Sequence, residues 1–328
     1  MLDSILESLQ VISLPTRTNF RSVTSREVAI FEGPAGWAEF SPFLEYDAKE
    51  CVPWLVSAIE AATQTPPPMQ RKLIPVNATL PAVNGYERIE EILSWYPGCQ
   101  SVKIKVGGEL SDDLKRISDV RSIAPQMKIR IDVNGSWSVD QALRAIEDIY
   151  QTGAIEYVEQ PCETLEQLRQ LHEKLNGRVL IAGDEILRKS ASPMTVDLRD
   201  VVDIVMLKVA PLGGISRSIQ LAKKHGVPVV VSSALESAIG ITYGLKLAAT
   251  LEKLPYACGL ATGNLLSADV AHLPVIDGCI EIAPMELDHG VIAKNRVSPE
   301  QLVFWKERIR NTWVSGAQDW VLQEGWIW

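Results

Sequence analysis

Residues 101–133, SVKIKVGGELSDDLKRISDVRSIAPQMKIRIDV, decide the fold. SVKIKV (101–106) and KIRIDV (128–133) alternate charged residues with Ile and Val, the period-two signal of a strand. The segment between them is a helix candidate at 111–124. Strand, helix and strand in about thirty residues make a βαβ unit, which requires parallel strands. The same alternation spreads outward. Further strand candidates are LIPVNATL (73–80), AIEYVEQ (154–160), VLIAGDE (179–185), VDIVMLKV (202–209), VPVVVSS (227–233) and YACGLAT (256–262). Helix candidates lie at 138–151, 164–175, 213–225 and 237–251. Eight strand candidates separated by helical stretches point to an α/β fold of the TIM-barrel type. An open doubly wound sheet is the competing architecture. It would usually carry a glycine-rich phosphate loop after its first strand, and none is found.

The segment before residue 73 has a different pattern. QVISLP (10–15), SREVAIFEGP (25–34) and AGWAEFSP (35–42) read as β structure, with Gly33-Pro34-Ala35-Gly36 as a hairpin tip. Val52, Leu55, Val56 and Ile59 recur at helical spacing within 47–63, and Thr65-Pro66-Pro67-Pro68 stops that helix. The chain therefore divides into an α+β unit at 1–72, a barrel at 73–285 and a C-terminal segment at 286–328. Trp305, Trp313, Trp320, Trp326 and Trp328 in that last segment read as packing of the segment back onto the rest.

The 328 residues carry a formal net charge of -9. Such a surface argues against nucleic acid and anionic membrane as partners, and leaves small anionic substrates open. Five scattered cysteines without a CxxC pair imply unpaired thiols and a reducing compartment. The N-terminus MLDSILESLQ lacks a signal pattern, and no apolar run nears the roughly 20 residues of a membrane span. A cytoplasmic location is expected.

Charge at the strand ends carries the chemistry. Lys105, Asp132, Glu159, Asp184 and Lys208 follow one another at steps of 27, 27, 25 and 24 residues. Each step is one β-loop-α-loop unit, so the five fall at one level of successive strands. In a barrel that level is the C-terminal mouth, where active sites lie. Period two places Lys103 with Lys105, and Arg130 with Asp132. Buried charge is costly without partners, and three carboxylates call for a cation. An all-oxygen donor set suits Mg²⁺, with Mn²⁺ as an alternative occupant. His172, His225, His272 and His289 miss these strand ends, which disfavours zinc. A divalent ion on a substrate carboxylate would disperse the charge made when the adjacent proton is removed. A lysine whose pKa is lowered by neighbouring cations could remove it.

The strand ends K-x-K (103–105), D-x-N (132–134), E-Q-P (159–161), D-E (184–185) and K (208) resemble the enolase superfamily, in its muconate-lactonizing subgroup; an acid/base lysine beside Mg²⁺ is a recorded pattern of that superfamily. GPAGWAEFSPFLEY (33–46), RIDVNGSW (130–137), SSALESAIG (232–240) and GLATGNLL (259–266) are most similar to the o-succinylbenzoate synthase family within it. The resemblance implies a modified TIM barrel, (β/α)7β, with an N-terminal capping domain completed by the C-terminal segment. It implies Asp132, Glu159 and Asp184 as Mg²⁺ ligands, Lys105 as the base, and Lys208 as the charge on the opposite face. Lys103 would tune Lys105 and hold a carboxylate oxygen. Asn134, Glu185 and Arg130 would support the metal site, and Ser232 and Ser233 would bind the succinyl carboxylate. Residues 16–26, with Arg17, Arg21 and Arg26, would form a mobile loop over the mouth. The implied reaction is loss of water from 2-succinyl-6-hydroxy-2,4-cyclohexadiene-1-carboxylate, in menaquinone biosynthesis.

Plainer readings stand beside these. Lys103 and Arg130 could each serve a structural ion pair, and Ser232-Ser233 could simply end a strand. Gly213-Gly214 reads as a tight turn or as an anion site at a helix N-terminus. An N-acylamino acid racemase or dipeptide epimerase would use the same lysines, but would need Lys208 to move a proton. A non-catalytic binding barrel would have no need to bury three acids and two lysines.

Overall fold

The computed structural model describes residues 1–20 and 23–328. Helix α1 (Leu2–Ser8) leads into an antiparallel sheet of β1 (Gln10–Phe20), β2 (Val23–Gly33) and β3 (Gly36–Phe40), in that order. The β2–β3 turn sits at the expected tip, with Gly33 opposite Gly36. Gly36 has φ +123°, a conformation that costs glycine little. Helix α2 (Val52–Thr63) closes the unit. Its Trp54, Leu55, Val56 and Ile59 are buried in one cluster with Phe31, Ala38 and Phe40.

Of residues 16–26, expected as a mobile loop, 16–20 lie in β1 and 23–26 in β2, with Leu14 opposite Arg26 and Phe20 opposite Val23. Thr16, Thr18, Phe20, Val23 and Thr24 are residue types that favour paired strands. The hairpin docks on the barrel through a Thr16–Leu266 bridge and through Arg17, whose Nε donates to the Leu266 carbonyl at 3.1 Å. Arg26 is buried and stacks over Phe43. Arg21 lies outside the described residues.

The first expected barrel strand is split at Pro75. β4 (Leu73–Pro75) pairs antiparallel with β12 (Cys279–Glu281), and β5 (Ala78–Leu80) enters the barrel. β5, β6 (Ser101–Lys105), β7 (Lys128–Asp132), β8 (Tyr157–Glu159), β9 (Ile181–Gly183), β10 (Ile204–Lys208) and β11 (Val229–Ser232) form one parallel sheet in chain order. The eighth expected strand is reduced to two bridges that curl the sheet shut: Cys258 pairs with Val76, and Gly259 with Ser232. Glycine lets the two segments approach closely there: a Cβ at 259 would lie 2.6 Å from Ser232 Oγ, which would have to turn away.

Helices α4 (Leu110–Ile123), α5 (Val139–Gln151), α6 (Leu165–Leu175), α8 (Ile215–His225) and α9 (Ala238–Thr250) follow β6, β7, β8, β10 and β11. α5 and α6 open on capping boxes, Ser138 with Gln141 and Thr164 with Gln167. α3 (Tyr86–Ser94) and the single turn α7 (Glu185–Arg188) complete the alternation. α10 (His289–Lys294), α11 (Pro299–Thr312) and α12 (Gln318–Glu324) return to the N-terminal unit, where Trp305 meets Phe40 edge-on and Trp328 stacks on Phe31. Among the described residues, no helix is long and apolar enough to cross a membrane.

Candidate active site

Register sets the level of each functional side chain. Lys105 is paired with Asp132, and Asp132 with Glu159, in one row across β6, β7 and β8. Lys103, Arg130 and Tyr157 form the row beneath. Lys208 ends β10 beside Ser232. Counting the bridging segment as an eighth member, β6 and β10 stand four steps apart, on opposite sides of the barrel. Backbone outliers gather at the same level: Asn134, Gln160 and Leu235 hold φ of 53°, 41° and 64° just past β7, β8 and β11. Non-glycine residues at positive φ concentrate where a loop must aim a side chain.

The three acids are sunk among cations. Lys103 Nζ lies 2.8 and 3.1 Å from the Glu159 oxygens and 3.4 Å from Asp132 Oδ2. Lys105 Nζ lies 3.2 Å from Asp132 Oδ2. Lys208 Nζ donates to Asp184 Oδ2 at 2.6 Å. Burial works against the charge on Lys103, but Glu159 and Asp132 outweigh it and hold its pKa above the ordinary lysine value. Burial, followed by the charge of Asp132, pushes Glu159 up despite Lys103 and Lys208. Burial would raise Asp184 too, yet Arg188 and Lys208 keep it well below the usual carboxylate range.

Asn134 donates to Glu185 Oε1 at 3.0 Å, tying the β7 loop to the β9 loop. Arg130 spends its hydrogen bonds a layer lower than expected, on Glu156, Asn77 and the Ala257 carbonyl, between the rings of Tyr157 and Tyr256. Ser232 shares the register of Lys208, whereas Ser233 Oγ is engaged with the Gly259 carbonyl and Thr262. Three residues escaped sequence reasoning. Gln160 Oε1 accepts from the Asp184 and Ile186 amides. Arg188 reaches both Asp184 oxygens, and Tyr46 brings its hydroxyl to Arg188. The spacing D-E-x-x-R within one helical turn was the available signal for Arg188.

A cavity of about 750 Å³ opens over this level. Asn134, Glu185 and Arg188 line it from the barrel, and Val23, Phe43 and Tyr46 from the N-terminal unit. The donor set below suits a hard divalent ion, being three buried carboxylates with oxygen alone to offer. Among the described residues no three acids converge as a ready-made metal cluster; each is drawn onto lysine or arginine. Among the described residues, Asp132, Glu159, Asp184 and Glu185 are set against Lys103, Lys105, Lys208 and Arg188.

Comparison with known proteins agrees with this geometry. Residues 87–287 match the family described as Enolase C-terminal domain-like, and residues 11–62 match Enolase N-terminal domain-like. The o-succinylbenzoate synthase of Mycolicibacterium smegmatis is 44% identical over 94% of this chain and 96% of its own length. That of Mycobacterium bovis is 43% identical over 94% of each. Among solved structures, the muconate lactonizing enzyme of Pseudomonas fluorescens superimposes with a TM-score of 0.73 at 19% identity, covering 88% of this chain and 98% of that one. A curled parallel barrel with an N-terminal unit, matched along nearly its full length by curated synthases, is sufficient: the chain belongs to the enolase superfamily and, within it, to the o-succinylbenzoate synthase family.

Proposed function

We propose that this chain is a Mg²⁺-dependent o-succinylbenzoate synthase, removing water from 2-succinyl-6-hydroxy-2,4-cyclohexadiene-1-carboxylate on the route to menaquinone. The observation that carries the reading is identity of 43–44% to curated synthases over 94% of the chain. The lysines facing one another across a carboxylate-ringed mouth support it.

Asp132, Glu159 and Asp184 would hold the ion. When bound, the ion would neutralise the second negative charge that builds on the substrate carboxylate. Lys105 takes the proton from the carbon bearing that carboxylate. The electron pair left behind completes the aromatic ring as the carbon–hydroxyl bond breaks, and Lys105 returns the proton so that water leaves. Lys105 must be neutral to begin, as any amine acting as a base must. Lys103 fixes the Glu159 carboxylate with both oxygens. Lys208 remains charged and faces the developing anion from the other side. Ser232 offers a hydroxyl to the succinyl carboxylate, while Ser233 holds the rim through Gly259 and Thr262. Asn134 and Glu185 set the loops around Asp184. The five free cysteines fit a cytoplasmic enzyme.

The test is loss of cyclohexadiene absorbance, measured with and without Mg²⁺. Turnover that requires the ion is expected. No turnover by folded, Mg²⁺-supplemented protein would overturn the substrate assignment, and N-succinylamino acids would then be assayed for racemisation.

A further inference from the structure

Arg188 is the least expected member of the site. It lies four residues after Asp184, on the single turn α7, and that spacing brings its side chain back over the strand end. Its Nε is 3.1 and 3.0 Å from the two Asp184 oxygens. Nη2 is 2.5 Å from Glu185 Oε1, and Nη1 is 3.3 Å from the Tyr46 hydroxyl. One planar group thus engages a strand-end acid, its neighbour in sequence and a residue of the N-terminal unit. Only 6% of the side chain is exposed. Burial opposes its charge, and Asp184 and Glu185 outweigh that.

A lysine could place one charge here but could not serve these acceptors together. Glu185 Oε1 also accepts from Asn134, so the arginine fork fixes a chain of contacts from the β7 loop to Tyr46. Arg188 also lines both the mouth cavity and a neighbouring cavity of about 440 Å³ at the seam with the N-terminal unit. Loss of a group that orients a metal-binding carboxylate typically costs about tenfold to a hundredfold in metal affinity.

We propose that Arg188 is a positioning residue that sets the divalent-ion affinity of the site by holding Asp184 and Glu185 in place, with Tyr46 anchoring it from the N-terminal unit. The inference rests on the metal reading above. Two effects of Arg188 oppose one another. As a fork it presents Asp184 correctly; as a cation it repels an incoming ion. Arg188→Lys separates them, because it keeps the charge and loses the fork.

The experiment is calorimetric titration of the substrate-free protein with MgCl2, on the parent, Arg188→Lys, Arg188→Met and Tyr46→Phe, each with a thermal melt. Expected are affinities weaker by about tenfold or more for both Arg188 variants, measured below their melting temperatures, which loss of a buried ion pair lowers, and by about twofold to threefold for Tyr46→Phe. Unchanged affinity in Arg188→Lys, together with tighter binding in Arg188→Met, would show that charge alone matters and would overturn the proposal. If both Arg188 variants fail to fold, Tyr46→Phe decides alone, since it removes one anchor without touching an acid; parental affinity there is the overturning result. A parent that binds no Mg²⁺ defeats the metal reading itself, which is a different failure.

Discussion

At Lys105 a single amine is asked both to take a proton and to give it back, so its removal should act on the chemical step. Lys105→Ala is expected to lower kcat by roughly 10²–10⁴-fold, the usual worth of a positioned base, with Mg²⁺ binding retained. A stopped-flow assay at saturating substrate checks this, and a loss confined to KM would point to a binding role instead. Lys208 carries a different demand. Lys208→Arg keeps a positive charge opposite Lys105, so dehydration should persist within about 100-fold while racemisation of an N-succinylamino acid, if the parent has any, disappears. Equal loss of both activities would make Lys208 a proton carrier in dehydration as well. The five strand-end residues were legible because a barrel repeats one βα unit, and charge that recurs at that period in apolar strands marks the mouth. Arg188, Gln160 and Tyr46 were not legible. Gln160 acts through a backbone turn at φ 41°, and Tyr46 reaches the site from a separate unit, so neither leaves a periodic trace. For Arg130 the plainer reading of a structural ion pair holds, with Glu156 as partner; period two places it under Asp132 but does not say which row faces the mouth.

Elements were legible in proportion to their periodicity. α4, α5, α6, α8 and α9 fall within two residues of their expected bounds; the first four set an apolar face toward the barrel and a polar one away from it, whereas α9 is apolar nearly all round and has no exposed residue. α3 was missed: it is nine residues long, begins at Gly85 and has no side-chain cap. The 73–80 run looked like one strand because β-branched residues continue across Pro75, and only the missing N–H of proline marks the break. Gly213-Gly214 could be read as a turn or as an anion site, and the fold uses both. The glycines have φ of +88° and +110°, and the anion at the α8 N-terminus is Glu60 from α2. Its carboxylate accepts from the Ile215 amide at 2.5 Å, the Ser216 amide at 3.0 Å and the Tyr243 hydroxyl at 2.6 Å. A Cβ at 214 would lie 1.9 Å from that carboxylate. Glu60→Ala strips buried donors of their acceptor and should cost about 2–4 kcal/mol of stability. Tyr243→Phe, which removes one donor and leaves Glu60 its amides, should cost less. Urea unfolding of both variants checks the order, and a Glu60→Ala chain as stable as the parent would show that this junction bears no load.

Across the whole molecule, the N-terminal unit and the barrel meet over an acidic seam. Glu39 of β3 accepts from the Ser41 hydroxyl and, at the start of α9, from the Ser237 amide and hydroxyl and the Gly240 amide. Glu236 and Asp269 stand beside the same helix start, accepting from the Ala234 and Ala238 amides. Arg26 feels the charges of Glu39, Glu236, Glu45 and Arg308, and hydrogen-bonds the Leu235 and Ser41 carbonyls. Burial, and then the charge of Glu39, pushes Glu236 up to about 7. Burial above all takes Asp269 to about 7 as well. Both groups hold protons in the folded chain that the unfolded chain has released above its ordinary carboxylate pKa. Their contribution to stability is therefore full below that ordinary value and is lost as pH rises through 7. Asp184 has the opposite sign, because its depressed pKa contributes stability above the ordinary aspartate value, lost only as pH falls through the folded one, so it adds no slope near neutrality. The melting temperature should accordingly be higher at pH 6 than at pH 8, by about 2–4 °C for a chain of this size. Glu236→Gln keeps an acceptor for the Ala234 amide and removes one of the two titrations, so it should roughly halve the difference and raise the melting temperature at pH 8. Scanning calorimetry of both proteins across this range decides it: a parent equally stable at both values, or a variant with the parental slope, would place the proton elsewhere than the seam.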